Sequence, residues 1–420
     1  MTRRLLIDRA TLFDSAAGVL RPNCKIVIEA DTIVAVSDEP ITVGDVAATI
    51  DAGNRVVLPG LIDAHVHVVA ASHDLSWLAL QPASLVTAQS SVILRDMLQR
   101  GFTTVRDAAG ADHGLRQAVA SGLFEGPRLF IAAAPVSQTG GHADMRPRGA
   151  RQREFFCSCA GLGLIGAIAD GVGEVRRAVR EQVRQGADHI KIMAGGGIAS
   201  PSDPLEGTQF SAEELRAACE EAEAANLYAM AHAYSPRAVS RAVMAGVRSI
   251  EHGNLIDEAS ARLMKTHGAY LVPTLSTYAA LADEGQRLGW SAAMLEKLAK
   301  VQACGIESLA IAKAEGVPIV FGTDLLGHMH ARQSGEFAIR SAVQTPVEIL
   351  QGATIEAARL MRQAGRIGQV VPGAFADLLI VDGDPTRELW MLAEPQRGIR
   401  TILQGGRVVK DTLPARPEKV

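Results

Sequence analysis

Leu58-Pro59-Gly60-Leu61-Ile62-Asp63-Ala64-His65-Val66-His67 is the stretch from which the rest of the chain is read. It belongs to an apolar run over residues 56–68, the pattern of a strand buried on both faces. A period of two places His65 and His67 on one side, where both imidazoles reach a single metal ion. Seven further runs follow at 103–107, 129–134, 189–194, 228–233, 249–252, 270–275 and 318–323, each trailed by a helical or loop segment. Residues 211–226 show the helical pattern best: Ser211 and Glu214 form a capping box, and Leu215, Ala218 and Ala222 recur on one face. Eight strands with eight crossovers predict an α/β fold, a (β/α)8 TIM barrel with its chemistry at the C-terminal strand ends.

The two chain ends read differently. Leu5-Leu6-Ile7, Lys25-Ile26-Val27-Ile28 and Thr32-Ile33-Val34-Ala35-Val36 are short strands divided by turn residues. Asp377-Leu378-Leu379-Ile380-Val381 and Arg400-Thr401-Ile402-Leu403 have the same character, and Gly405-Gly406 turns the latter into Arg407-Val408-Val409 as a hairpin. The expected organisation is therefore nested. Residues 1–58 and 366–420 form one small β-sandwich domain, and 59–365 form the barrel.

Composition excludes several classes. The chain has 420 residues, 48% hydrophobic and 21% charged, which rules out a disordered, collagenous or coiled-coil protein. A net charge of −4, without a basic and aromatic cluster, speaks against a nucleic-acid partner. No run approaches the roughly 18 apolar residues of a membrane helix. Near the start, Asp8 and Arg9 interrupt any leader-like core, so the beginning reads as cytoplasmic, or as the trimmed end of a longer precursor. Five scattered cysteines, Cys157-Ser158-Cys159 included, read as reduced thiols.

The strand ends carry the chemistry. Lys191 lies in His189-Ile190-Lys191-Ile192-Met193, and an ammonium in so apolar a strand needs a partner, a depressed pKa or a chemical modification. His232 ends Met230-Ala231-His232, His252 ends Ile250-Glu251-His252, and Asp324 follows Phe321-Gly322-Thr323. Four histidines, a lysine and an aspartate at one mouth are hard to explain as core packing.

These motifs, together with the re-entry Pro372-Gly373-Ala374-Phe375-Ala376-Asp377-Leu378, resemble the amidohydrolase superfamily over essentially the whole chain. The resemblance implies a binuclear site with two divalent metal ions, taken as zinc on the nitrogen-rich donor set. His65, His67 and Asp324 would hold one ion, and His232 and His252 the other. Lys191, N-carboxylated by CO₂, would bridge them together with a hydroxide, and Asp324 would shuttle the proton. Ala231-His232-Ala233-Tyr234-Ser235 and Gln138-Thr139-Gly140-Gly141-His142-Ala143-Asp144 are similar to the imidazolonepropionase-related branch, which includes Xaa-amino-acid dipeptidases and ochratoxin-hydrolysing amidohydrolases. The implied function is hydrolysis of the amide bond to a C-terminal amino acid in a dipeptide, an N-acyl amino acid or an ochratoxin A-like molecule. The alternative is a cyclic-amide hydrolase or deaminase, against which Lys191 argues. His142 and Tyr234 are expected at the substrate, and His328 in a gate or pocket wall. The resemblance also implies a homo-oligomer.

Glu251 is expected to point away from the site because it neighbours His252, in a supporting or helix-packing role and not a catalytic one. His189 is expected to be a packed core residue. Gly161-Leu162-Gly163-Leu164-Ile165-Gly166 lacks the strand that a dinucleotide loop requires and reads as a loop over the site.

Overall fold

The computed structural model describes residues 4–39, 46–152, 164–198, 203–285 and 287–413. Cys157, Cys159 and residues 161–163 of the glycine-rich run lie outside them. The chain divides into two compact units, one of Met1–Asp63, Asp96–Thr104 and Gln344–Val420, the other of Ala64–Arg95 and Val105–Val343.

In the first unit, strands from both ends of the chain join one sheet. Its order is Arg407–Asp411, Ile399–Gln404, Leu378–Val381, Val56–Pro59, Arg4–Asp14, Val19–Glu29 and Thr32–Ser37, with Val46–Asp51 also paired to Arg4–Asp14. The expectation was a sandwich of two sheets; the hydrogen bonding is continuous. The reason lies in Arg4–Asp14, whose register breaks between Ile7 and Ala10 and again between Ala10 and Leu12, with Arg9 at φ 52°. Bulges bend a strand, and here the bent strand serves Val46–Asp51 with its first half and Val56–Pro59 with its second. Ile7, Leu12, Ile26, Val57, Leu378 and Ile380 share the resulting core, each contributing about 1.5–3 kcal/mol on burial.

The run over 56–68 is therefore two strands, not one. Val56–Pro59 joins the terminal sheet, and Leu61–Val66 starts a second ladder with Phe102–Asp107 and Arg128–Ile131.

The second unit carries a parallel ladder in the order Ala167–Ile168, Val136–Ser137, Ile190–Met193, Ala229–Ala233, Ser249–His252 and Tyr270–Val272. Its registers set Lys191 beside Met230, and His232 between Met193 and Glu251. Residues of opposite parity, such as Ile190, Ile192, Ala231 and Ile250, pack with Val179, Leu215, Ala218 and Val243 of the covering helices. Helix Ala212–Ala224 starts at the expected capping box of Ser211 and Glu214.

The expected eighth strand, 318–323, is not a regular strand. Its backbone is nevertheless bonded on both flanks: Leu271 N donates to Pro318 O and Val320 N to Leu271 O, while Ala64 N donates to Phe321 O. Gly322 permits this approach, because a Cβ there would fall 2.3 Å from Val272 Cγ1 and 3.0 Å from His65 Cβ.

Candidate metal centre and active site

His65, His67 and Asp324 form a cluster in which one ligand atom of each lies within 4.8 Å of the others. Asp324 Oδ1 is 3.1 Å from His67 Nε2 and 3.4 Å from His65 Nε2. The opposite ring nitrogens are engaged elsewhere: His67 Nδ1 meets Ala109 O at 3.0 Å, and His65 Nδ1 meets Glu251 Oε2 at 2.7 Å. Acceptors at Nδ1 hold a proton on that nitrogen and leave Nε2, on the side of Asp324, as the atom a metal ion would take once it carries no proton. Burial works against the charge of Asp324, but His65 and His67 outweigh it and hold the carboxyl well below its ordinary range. Two imidazole nitrogens and a carboxylate oxygen are a donor set that suits a divalent cation.

The remaining candidates stand beside this trio. The His252 ring lies 5.1 Å from that of His65 and 4.5 Å from that of His232. Burial, followed by neighbouring positive groups, pushes His232 well below the ordinary histidine pKa. Burial likewise outweighs the pull of Asp324 at His252 and lowers its pKa well below the ordinary range. Both rings are therefore neutral. Lys191 is buried, and desolvation brings its pKa down to about 8 against the opposing pull of Glu251 and Asp324.

Backbone strain marks the same place. His252 has φ 74°, Asp324 φ 54° and Thr274 φ 49°, left-handed values uncommon for any residue but glycine and most strained at the β-branched Thr274. At His252 this breaks the strand's alternation, and the reading of Glu251 needs correction. Glu251 shares the face that carries Lys191 and His232 and does not point away. It is fully buried, accepts from Arg106 Nη2 at 2.9 and 3.1 Å and from Ser249 Oγ at 2.6 Å, and holds His65 in place.

His65, His67, Lys191, His232, His252 and Asp324 all line one cavity with His142 and Tyr234. Most of its remaining wall is apolar, with Leu75, Met145, Leu164, Ile198, Leu281 and Trp290. Tyr278, which the sequence did not single out, lines it too, its hydroxyl 3.0 Å from that of Tyr234. Thr274 Oγ1 then joins Tyr278, at 3.5 Å, to His252 Nδ1, at 2.8 Å. His328 stands apart. It is exposed on the short helix Gly327–Arg332 and pairs with Glu284 instead of lining the cavity. His189 is buried against Tyr228, with Nε2 3.1 Å from Asp107 O.

A sequence model of the amidohydrolase family matches residues 56–409, and the chain belongs to that family. It is a hydrolase acting on C–N amide bonds. Ochratoxinase of Aspergillus niger is 34% identical over 371 residues, which is 84% of this chain and 76% of that protein. A crystal structure of a prolidase complexed with N-methylphosphonate-L-proline superposes with a TM-score of 0.94 at 48% identity, over 97% of this chain and 100% of that one. A Xaa-Pro dipeptidase with methionine bound in its active site gives 0.86 at 28% identity, over 97% and 100%.

Proposed function

We propose that this chain hydrolyses the amide bond to a C-terminal amino acid, in a dipeptide, N-acyl amino acid or ochratoxin A-like substrate, at a binuclear zinc centre inside a closed (β/α)8 barrel. The single observation that carries the reading is the convergence of four histidines, Asp324 and a buried lysine on one cavity floor. The bonds flanking 318–323, and Asp188 N donating to Ile131 O at 2.7 Å, support closure of the barrel.

His65, His67 and Asp324 would hold one cation, and His232 and His252 the second. When bound, such ions supply Lewis acidity, acidifying water and polarising a carbonyl. The residues supply the rest. With its pKa near 8, about a tenth of Lys191 is neutral at pH 7 and able to take up CO₂ as a carbamate, which turns a stranded cation into an anionic ligand. Asp324 accepts a proton from the attacking water and returns it to the leaving nitrogen. His142 and Tyr234 orient the scissile carbonyl or the substrate carboxylate. The apolar walls select substrates whose side chain or acyl group is apolar or aromatic.

The test is a panel of N-acyl amino acids, Xaa-Pro dipeptides and ochratoxin A, assayed before and after chelation. Hydrolysis should vanish with chelator and return with zinc. Activity indifferent to chelation, or turnover confined to cyclic amides, would overturn the proposal.

A further inference from the structure

Asp203 belongs to no motif in the sequence, yet it lies buried beside the site with a rim histidine on it. Its Oδ2 is 3.1 Å from His142 Nδ1 and also accepts from Gly197 N at 2.9 Å and Gln209 Nε2 at 3.4 Å. Gln209 closes the arrangement from the other side, its Oε1 accepting from His142 N at 3.0 Å. The imidazole has little room to turn. One face stacks on His232 with ring centroids 4.2 Å apart and planes 18° apart. A Cβ on Gly197 would fall 2.0 Å from His142 Cε1, so only glycine fits there. Lys297, from helix Ala292–Ala314, donates to Gly197 O at 3.2 Å and Asp203 O at 2.5 Å, tying both members of this support to one helix.

We infer that Asp203 is a positioning residue that acts through His142. A carboxylate only accepts, so His142 carries a proton on Nδ1, and its Nε2 is the atom presented to substrate in the cavity. The inference rests on the hydrolytic reading of the site for its kinetic consequence, but not for its structural one. It also explains why His142, on a glycine-rich loop, is held as firmly as a residue on a strand: its orientation is set by a carboxylate 61 positions further along the chain.

The experiment is a double-mutant cycle on the metal-loaded enzyme, with His142→Ala, Asp203→Ala and both together, and Asp203→Asn as the isosteric variant. Asp203→Ala should lower kcat/KM about ten- to a hundredfold, Asp203→Asn should lose less, and the double variant should be no worse than His142→Ala alone. Metal content should stay at the parent level in all. Losses that multiply in the double variant, or metal lost on replacing Asp203, would overturn the inference. A second readout needs no substrate: in protein labelled with ¹⁵N-histidine, the ring signal absent from His142→Ala should report a proton on Nδ1. It should shift toward the other tautomer in Asp203→Ala. An Nε2 proton in the parent would overturn the inference even if hydrolysis is found, and an Nδ1 proton would sustain it even if the amide panel fails.

Discussion

Glu251 and Glu336 are both fully buried, and their neighbours drive them in opposite directions. At Glu251 burial favours the neutral acid, but Arg106 and His65 prevail and hold the carboxyl below its ordinary range. Its stabilising contribution is thus present above an ordinary carboxylate pKa and is lost as pH falls. Glu251→Gln leaves Arg106 buried opposite a neutral amide, at a cost of about 3–5 kcal/mol in urea unfolding. It should also weaken metal binding about ten- to a hundredfold through His65. At Glu336 burial prevails over Arg340 and raises the pKa to about 7. The folded chain then binds more protons than the unfolded one between about 4.5 and 7, so stability falls as pH rises through that window, by up to about 3 kcal/mol. Urea unfolding at pH 5 and pH 8 should show this loss in the parent. Glu336→Gln should lack it; an equal loss in the variant would remove Glu336 as the cause. Sequence alone reveals neither effect, because each depends on a partner far along the chain or on burial that periodicity does not measure.

Among the elements, what the sequence showed well were features made of near neighbours. The capping box at Ser211 and Glu214 is present as read, with Glu214 N bonded to Ser211 Oγ at 3.2 Å and Ser211 N to Glu214 Oε2 at 2.6 Å. Ser211→Ala should cost about 1 kcal/mol in urea unfolding with unchanged metal content; a loss of metal would mean that this helix supports the site directly. The His65 and His67 parity at the end of Leu61–Val66 was also legible, since two residues so close along one extended segment need no third element to fix their direction. Boundaries were less so. The apolar run from 56 to 68 does not show that its two halves pair with different sheets, and uniform apolarity does not mark the change at Gly60. Glu251 was misread because strict alternation fails where His252 takes a left-handed backbone. Asp203 and Tyr278 lie in a loop and a helix that carry no local motif, although Tyr278 lines the cavity and Asp203 stands behind His142.

At the scale of the whole molecule, six candidate ligands come from segments spread between residues 65 and 324, and each is unremarkable where it stands. Their convergence was legible because repeated strand and helix units place strand ends together, a rule of topology and not of local sequence. What the pattern does not contain is the support behind the ligands: Arg106 under Glu251, and Thr274 and Tyr278 behind His252. Lys191 is the decisive residue: it is buried, its pKa is lowered to about 8, and the proposed function makes it a ligand. Elemental analysis of purified parent and Lys191→Ala protein tests this directly. The expected result is two divalent ions per parent chain, at least one fewer in the variant, and partial recovery of metal and activity with added small carboxylates. A well-folded parent that binds no metal, or a Lys191→Ala protein with its full complement, would contradict it.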